Sequence, residues 1–460
     1  MASTIDEETI AQLQAPEVVN ATANSLTYYR SQPGNLRSYS NVESVSLGTG
    51  YSIYSSTILP AIRSTDFELI LVTCFWARSA TLDALNDALL ELSAKGLSQE
   101  RKIRIRICFS SSSLLQKLLH TQSLRGQTWT PSTWKSKLGL PAASELSGLD
   151  MEVISIFQLP FSVMHPKFVI VDRKRVLLPS CNVSWEEWFE GCVSLTGAVT
   201  EQFLTFWLNF WADENIAELP PVTQERETSS PLVADGSTNR LLAVRMLSGQ
   251  DVPSTLLPSP HQRFNLPWLS SSAAPPTPLN IYLLTLFARA KRSIYIQTPN
   301  FTAEPVSTAV FGCLARGVDV SIVTSRKLMR LEQLVTAGTT THRCVSELVE
   351  RYMRLHEQVK AARTDTDAET GLVPRAVGQL IVNYYKPRNE CDHEPVQSHL
   401  KLTIADQEIA VFGSGNMDRA SWYTSQELGL ALRSRKLVDD IWHCLQQAMA
   451  DRTTTVYSSA

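Results

Sequence analysis

The chain has 460 residues, 43% of them hydrophobic and 19% charged, with a mean hydropathy of -0.08. That profile excludes a chain disordered throughout, and at about 100–200 residues per domain it predicts two to four domains, or two large ones. With 42 Lys and Arg against 45 Asp and Glu the net charge is -3, which speaks against a strongly basic nucleic-acid binder but leaves room for a local basic cleft.

The N-terminus has neither a basic nor an apolar leader region, and its early acids Asp6, Glu7 and Glu8 oppose a mitochondrial presequence. Thr4 followed by Glu7 reads as a capping box that opens a short helix. No run approaches the ~18 apolar residues of a transmembrane helix. The eight cysteines (Cys74, Cys108, Cys181, Cys192, Cys313, Cys344, Cys391 and Cys444) form no CxxC pair. They read as reduced, mostly buried thiols of an intracellular protein.

Residues 67–76 are an apolar, β-rich run, 80–96 a helical pattern, and 102–111 an alternating strand. Residues 203–211 read as a packed helix. In the second half, 293–301 is strand-like, 307–317 helical and 318–325 strand-like again. Residues 331–355 carry a long helical pattern with a break at Gly338. Each half thus reads strand–helix–strand, which predicts an α/β fold with helices on the sheet. Between the halves, 220–278 is dense in Pro and Ser and reads as an irregular connection, with a lid as the functional alternative.

Each half then carries the same polar pattern. His165 and His399 are followed at +2 by Lys167 and Lys401, and at +7 by Asp172 and Asp406. Ser180 and Ser414 follow at +15, and Asn182 and Asn416 at +17. Further on, Trp185 and Trp422 each precede a glutamate by five residues, Glu190 and Glu427. Five polar identities at five spacings, using two of only eight histidines, mark an internal repeat.

The spacing has a geometric meaning. Alternation from His165 puts His and Lys on one face of a strand. A reversal near residue 173 would bring residue 181 opposite 165, so that Ser180 and Asn182 flank His165. The same arithmetic places Ser414 and Asn416 beside His399. Each hairpin so gathers an imidazole, an ammonium, a hydroxyl and an amide, an inventory suited to a phosphoryl group. Two histidines allow one to attack phosphorus while the other serves as general acid and base. Glu190 and Glu427 are the candidates for orienting the imidazoles. Asp172 and Asp406, at the strand-to-turn junctions, suit either the site or backbone capping. No metal-ligand spacing is present.

HxKxxxxD followed by GSxN, present twice, resembles the phospholipase D superfamily. The second copy fits throughout, through Gly413-Ser414-Gly415-Asn416; the first carries Pro179 where the family usually has Gly. The resemblance covers most of 50–220 and 278–440. It implies two related α-β-α lobes packed about a pseudo-two-fold axis with the active site between them. The expected divisions are an N-terminal extension (1–45), lobe 1 (46–220), a linker (221–277) and lobe 2 (278–460). It also implies metal-independent transfer through a phosphohistidine, with His165 as nucleophile and His399 as acid/base. Lys167, Asp172, Lys401 and Asp406 complete the implied catalytic set, and Ser180, Asn182, Ser414 and Asn416 the phosphate-binding set. No cofactor is expected.

A phospholipid substrate, with water or an alcohol as acceptor, is the reading preferred over a nuclease, given the charge of -3. The protein is expected to be a monomer, cytoplasmic or peripheral on an intracellular membrane. The remaining histidines, among them His120, His261, His342 and His393, read as surface or core residues.

Overall fold

The computed structural model describes residues 4–21, 28–113, 120–121, 123, 126–158, 162–212, 241–262, 273–326, 328, 330–364, 376–388 and 394–459. Helix α1 (Ile5–Gln14) opens on the capping box: Thr4 Oγ1 accepts from the Glu7 N–H at 3.2 Å, and Glu7 Oε2 from the Thr4 N–H at 2.8 Å. The first half contributes β1 (Arg37–Thr49), β2 (Glu68–Phe75), α2 (Ala80–Ser98), β3 (Ile103–Ser111), β4 (Leu149–Ser155), β5 (Phe168–Val171), β6 (Arg175–Pro179), β7 (Trp188–Thr196) and α3 (Val199–Phe210). The second contributes β8 (Ala243–Ser259), α4 (Pro278–Arg289), β9 (Ser293–Gln297), α5 (Glu304–Ala315), β10 (Asp319–Thr324), α6 (Arg330–Ala337), α7 (Thr341–Thr364), β11 (Leu380–Tyr385), β12 (Leu402–Ala405), β13 (Ile409–Gly413), α8 (Arg419–Tyr423), β14 (Glu427–Arg433), α9 (Arg435–Met449) and β15 (Thr453–Ser458).

The strands form one mixed sheet in the order β4-β3-β2-β5-β6-β7-β1-β8-β14-β13-β12-β9-β10-β11-β15. From the central β1–β8 pair outward, each half repeats one sequence of neighbours. In each half β2-β3-β4 or β9-β10-β11 run parallel and the motif strands antiparallel, and the second half adds the antiparallel edge strand β15. The α/β expectation is met.

Strand alternation divides the core. Phe168 and Ile170 join a cluster with α3, α9 and strands of both halves, whereas Val169 and Val171 join a cluster under α2. A third cluster lies among α4, α5 and α7. Trp207 and Trp211 are buried, so the packed-helix reading of 203–211 stands. Gly338, at φ +68°, lies between α6 and α7, where the helical pattern predicts its break.

Two boundaries need correction. The stretch read as linker contains β8, which sits at the centre of the sheet. Its prolines hid it: Pro253 pairs with Tyr39 and Pro258 with Leu428, and the β1–β8 ladder absorbs irregularity through register shifts at Ser40–Ser44. The N-terminal extension is likewise attached. Asp6 accepts from Arg433 at 2.7 Å and from the Thr255 hydroxyl at 2.8 Å, and β1 begins at Arg37. The parts of the connection at 213–240 and 263–272, together with Cys391 and His393, lie outside the described residues. The other seven cysteines are in no disulfide, and six of them are buried.

Candidate active site

Each motif begins just before a hairpin strand and returns just after its partner. The registers Val169↔Leu177 and Leu402↔Phe412 extrapolate to 165 opposite 181 and 399 opposite 415, as the spacing predicts. The backbone then ties each motif histidine to the other half. The His165 N–H donates to Gln426 O at 3.0 Å, and the His399 N–H to Phe189 O at 2.8 Å. The side chains cross in the same way. His165 Nδ1 lies 3.0 and 2.9 Å from the two carboxylate oxygens of Glu427, and His399 Nδ1 lies 2.8 Å from Glu190 Oε1. Each glutamate therefore orients the histidine of the opposite repeat.

Lys167 and Lys401 are buried, and each Nζ donates to the carbonyl of its own histidine, at 3.0 and 2.7 Å. The serine hydroxyls, expected to bind phosphate, are engaged by the glutamates. Ser180 donates to Glu190 and Ser414 to Glu427, while each oxygen accepts a backbone N–H, from Gly191 at 2.9 Å and Leu428 at 3.0 Å. They fix the glutamates that fix the imidazoles. Asn182 Oδ1 accepts from the Phe75 N–H at 3.1 Å, and Asn416 Nδ2 donates to Asp418 at 3.0 Å.

Asp172 and Asp406 also depart from the implied catalytic set. The Asp172 carboxylate accepts the N–H groups of Asp66, Phe67 and Glu68 at 2.8, 2.7 and 2.9 Å. Asp406 does the same for Lys291, Arg292 and Ser293. Seven residues of extended chain, about 20 Å, separate each from its histidine. Both stand in left-handed turns, with φ +50° and +55° at Asp172 and Arg173, and +53° and +54° at Asp406 and Gln407. Aspartate tolerates that conformation better than most residues.

Burial dominates the electrostatics. It pushes Glu190 up to about 7 and Lys401 down to about 7, with Lys167 adding to the depression of Lys401. His399 is driven well below the usual imidazole range by burial, then by Lys401 and Lys167. Burial also lowers His165, against the pull of Glu427. Burial alone would raise Glu427, but His165 and its hydroxyl donors outweigh it and hold this carboxyl low. In two near-identical pairs the carboxyls are thus shifted in opposite directions, Glu190 up and Glu427 down.

Sequence reading missed two neighbours. Trp188 lies over His399, ring centroids 4.8 Å apart. The half-buried Glu186 is raised to about 7 by burial and then by Glu190, and it feels both lysines. Neither has a counterpart in the second repeat, so a search for repeated residues passes over them. Among the described residues no cluster of His, Cys, Asp and Glu is arranged to hold a metal ion.

The site so assembled joins two histidines, two lysines and two crossed glutamates on this mixed sheet. Residues 283–449 match the family model described as "Cardiolipin synthase, PLD-like domain". In structure the chain is similar to the phosphatidylserine synthase of Haemophilus influenzae Rd KW20, with a TM-score of 0.57, 13% identity, and coverage of 94% of this chain and 92% of that one. It also matches the phospholipase D family member Nuc of Salmonella typhimurium at TM-score 0.26 and 17% identity, over 39% of this chain and 91% of that one. No curated protein matches the sequence.

Proposed function

We propose that the chain is a phosphodiesterase or phosphatidyl transferase acting on phospholipids through a phosphohistidine. The crossed pairs His165–Glu427 and His399–Glu190, set in one field with two buried lysines, carry this reading. The family match over residues 283–449 supports the lipid class.

His165 is the nucleophile. Its ring is the more exposed of the two, at 13% against 6% for the His399 side chain, and Glu427 holds its Nδ1. Nε2 attacks phosphorus as the bond to the leaving oxygen breaks, and His399 gives that oxygen a proton. A bound phosphate offsets the two lysine charges that depress His399, which restores its hold on this proton. In the second step His399 takes the proton of water or an alcohol, whose oxygen displaces the imidazole. Lys167 and Lys401 supply the positive charge for both transition states.

The test is a substrate panel of phospholipids, with water or glycerol as acceptor, beside single- and double-stranded DNA, all in excess EDTA. Headgroup release or a new phosphatidyl ester is expected. His165→Ala and His399→Ala should each lower turnover by at least about a thousandfold, and an acid-labile, base-stable phosphoenzyme should be trapped. Cleaved DNA with intact lipid would replace this reading with the nuclease one.

A further inference from the structure

We infer that Trp188 is a positioning residue: its ring favours the protonated form of His399, and so divides the labour between two otherwise equivalent histidines. The inference deepens the reaction proposed above and rests on the assignment of His399 as acid and base.

The two halves grip their histidines alike up to one point. On β7, alternation sends Phe189 into the core, fully buried, and turns Trp188 and Glu190 to the opposite face. Both meet His399. Glu190 Oε1 lies 2.8 Å from Nδ1, and the indole and imidazole centroids lie 4.8 Å apart with their planes at 53°. The backbone fixes this approach on either side of Trp188. The Val396 N–H donates to Glu187 O at 2.9 Å, the His399 N–H donates to Phe189 O at 2.8 Å, and Trp188 pairs with Gln397 in parallel register. In the second half Glu427 takes the place of Glu190, and the residue two positions before it is Ser425. Ser425 is buried, and among the described residues no aromatic ring is in contact with His165.

An acid must hold its proton until the leaving oxygen takes it, and most of what faces His399 works against that. Burial disfavours the imidazolium most, then Lys401 from its own hairpin, then Lys167 and His165 from the other; the Ser180 carbonyl favours it. Glu190 on β7 is itself pushed up to about 7 by burial, as is the neighbouring Glu186, so neither brings a full negative charge at neutral pH. Trp188 acts in the favourable sense. A cation within about 6 Å of an indole centroid is attracted to the negative face of the ring, more strongly where water is excluded. His165 must instead attack with a free lone pair, and no ring stands beside it. The tryptophan is therefore placed where a proton has to be kept, and a serine where one would block the reaction.

The experiment sets the full chain against Trp188→Leu and Trp188→Phe on two short-chain lipids, dibutyroyl phosphatidylglycerol and dibutyroyl phosphatidyl-4-nitrophenol. Glycerol leaves as an alkoxide and needs the proton of His399, whereas 4-nitrophenolate leaves without one. Trp188→Leu should lower kcat at least about fivefold on the glycerol ester and stay within about twofold on the nitrophenyl ester. The ratio of the two rates does not depend on how much of the variant is folded. The alkaline limb of kcat on the glycerol ester, which reports the acid in the bound state, should move down by at least about half a pH unit. Trp188→Phe, which keeps a ring, should recover part of both changes. An equal fall on the two esters overturns the proposal in favour of a packing role, and an unmoved alkaline limb overturns it outright. Titration of the His399 ring by NMR needs no turnover: its midpoint should be lower in Trp188→Leu than in the wild type, and an equal or higher one overturns the proposal. If the wild-type chain turns over neither lipid, the reading of function fails, and this titration still decides whether Trp188 favours the proton.

Discussion

At His165 the charge of Glu427 opposes burial, so removing that charge should let burial win. In Glu427→Gln the imidazole of His165 is expected to titrate at a lower pH than in the wild type, read by NMR of the histidine ring. An unchanged or higher midpoint would show that the carboxylate does not set its protonation. Glu190 makes the opposite case. Burial raises its folded pKa to about 7 from 4.5. A raised carboxyl contributes stability that is fully present below the unfolded pKa and is lost as pH climbs through the folded one. Glu190→Gln should therefore gain on the wild type between about pH 4.5 and 7, by about 1–3 kcal/mol in thermal or denaturant unfolding. Constant costs of the amide cancel in that difference, so a flat difference would refute the assignment. The sequence makes these residues legible because repetition marks them. It does not show that the pairs cross, since partner choice depends on how chains 262 and 209 residues apart pack.

At the scale of elements, the motif hairpins are the most legible parts, because alternation and turn spacing are local. The function of their aspartates was less so. Asp172 holds three backbone N–H groups at the end of the hairpin away from His165, and this predicts a structural variant. Asp172→Ala should lose about 2–4 kcal/mol of stability, since each bond to a charged acceptor is worth about 1.5–3 kcal/mol and water recovers part of it. The rate per folded molecule should stay within about twofold. Asp172→Asn, which keeps an acceptor and tolerates the turn, should recover part of the stability. A large loss of rate with stability intact would return the aspartate to the catalytic set. The same change at the more exposed Asp406 should cost less. Strand β8 was illegible for a related reason: its two prolines and Gly249 are penalised by local propensity, and the ladders with β1 and β14 override them.

At the scale of the molecule, composition and repetition predict two lobes, but the structure ties them more closely than a linker would. The central β1–β8 pair joins the halves, and one core cluster includes Ile70, Phe168 and Trp207 from the first with Leu402, Leu430 and Ile441 from the second. Asp6, from the first helix, is bound to Arg433, and each histidine–glutamate pair draws one member from either half. Unfolding one half would expose shared apolar surface and leave a buried glutamate without its histidine, so partial unfolding is penalised twice. Calorimetry should accordingly record a single transition whose calorimetric and van't Hoff enthalpies agree to within about a fifth. Glu427→Ala should move that transition to lower temperature as a whole without splitting it. Two resolved transitions in the wild type would mean that the halves fold independently. The crossed site would then form by docking of finished lobes, and substrate should stabilise the later transition alone.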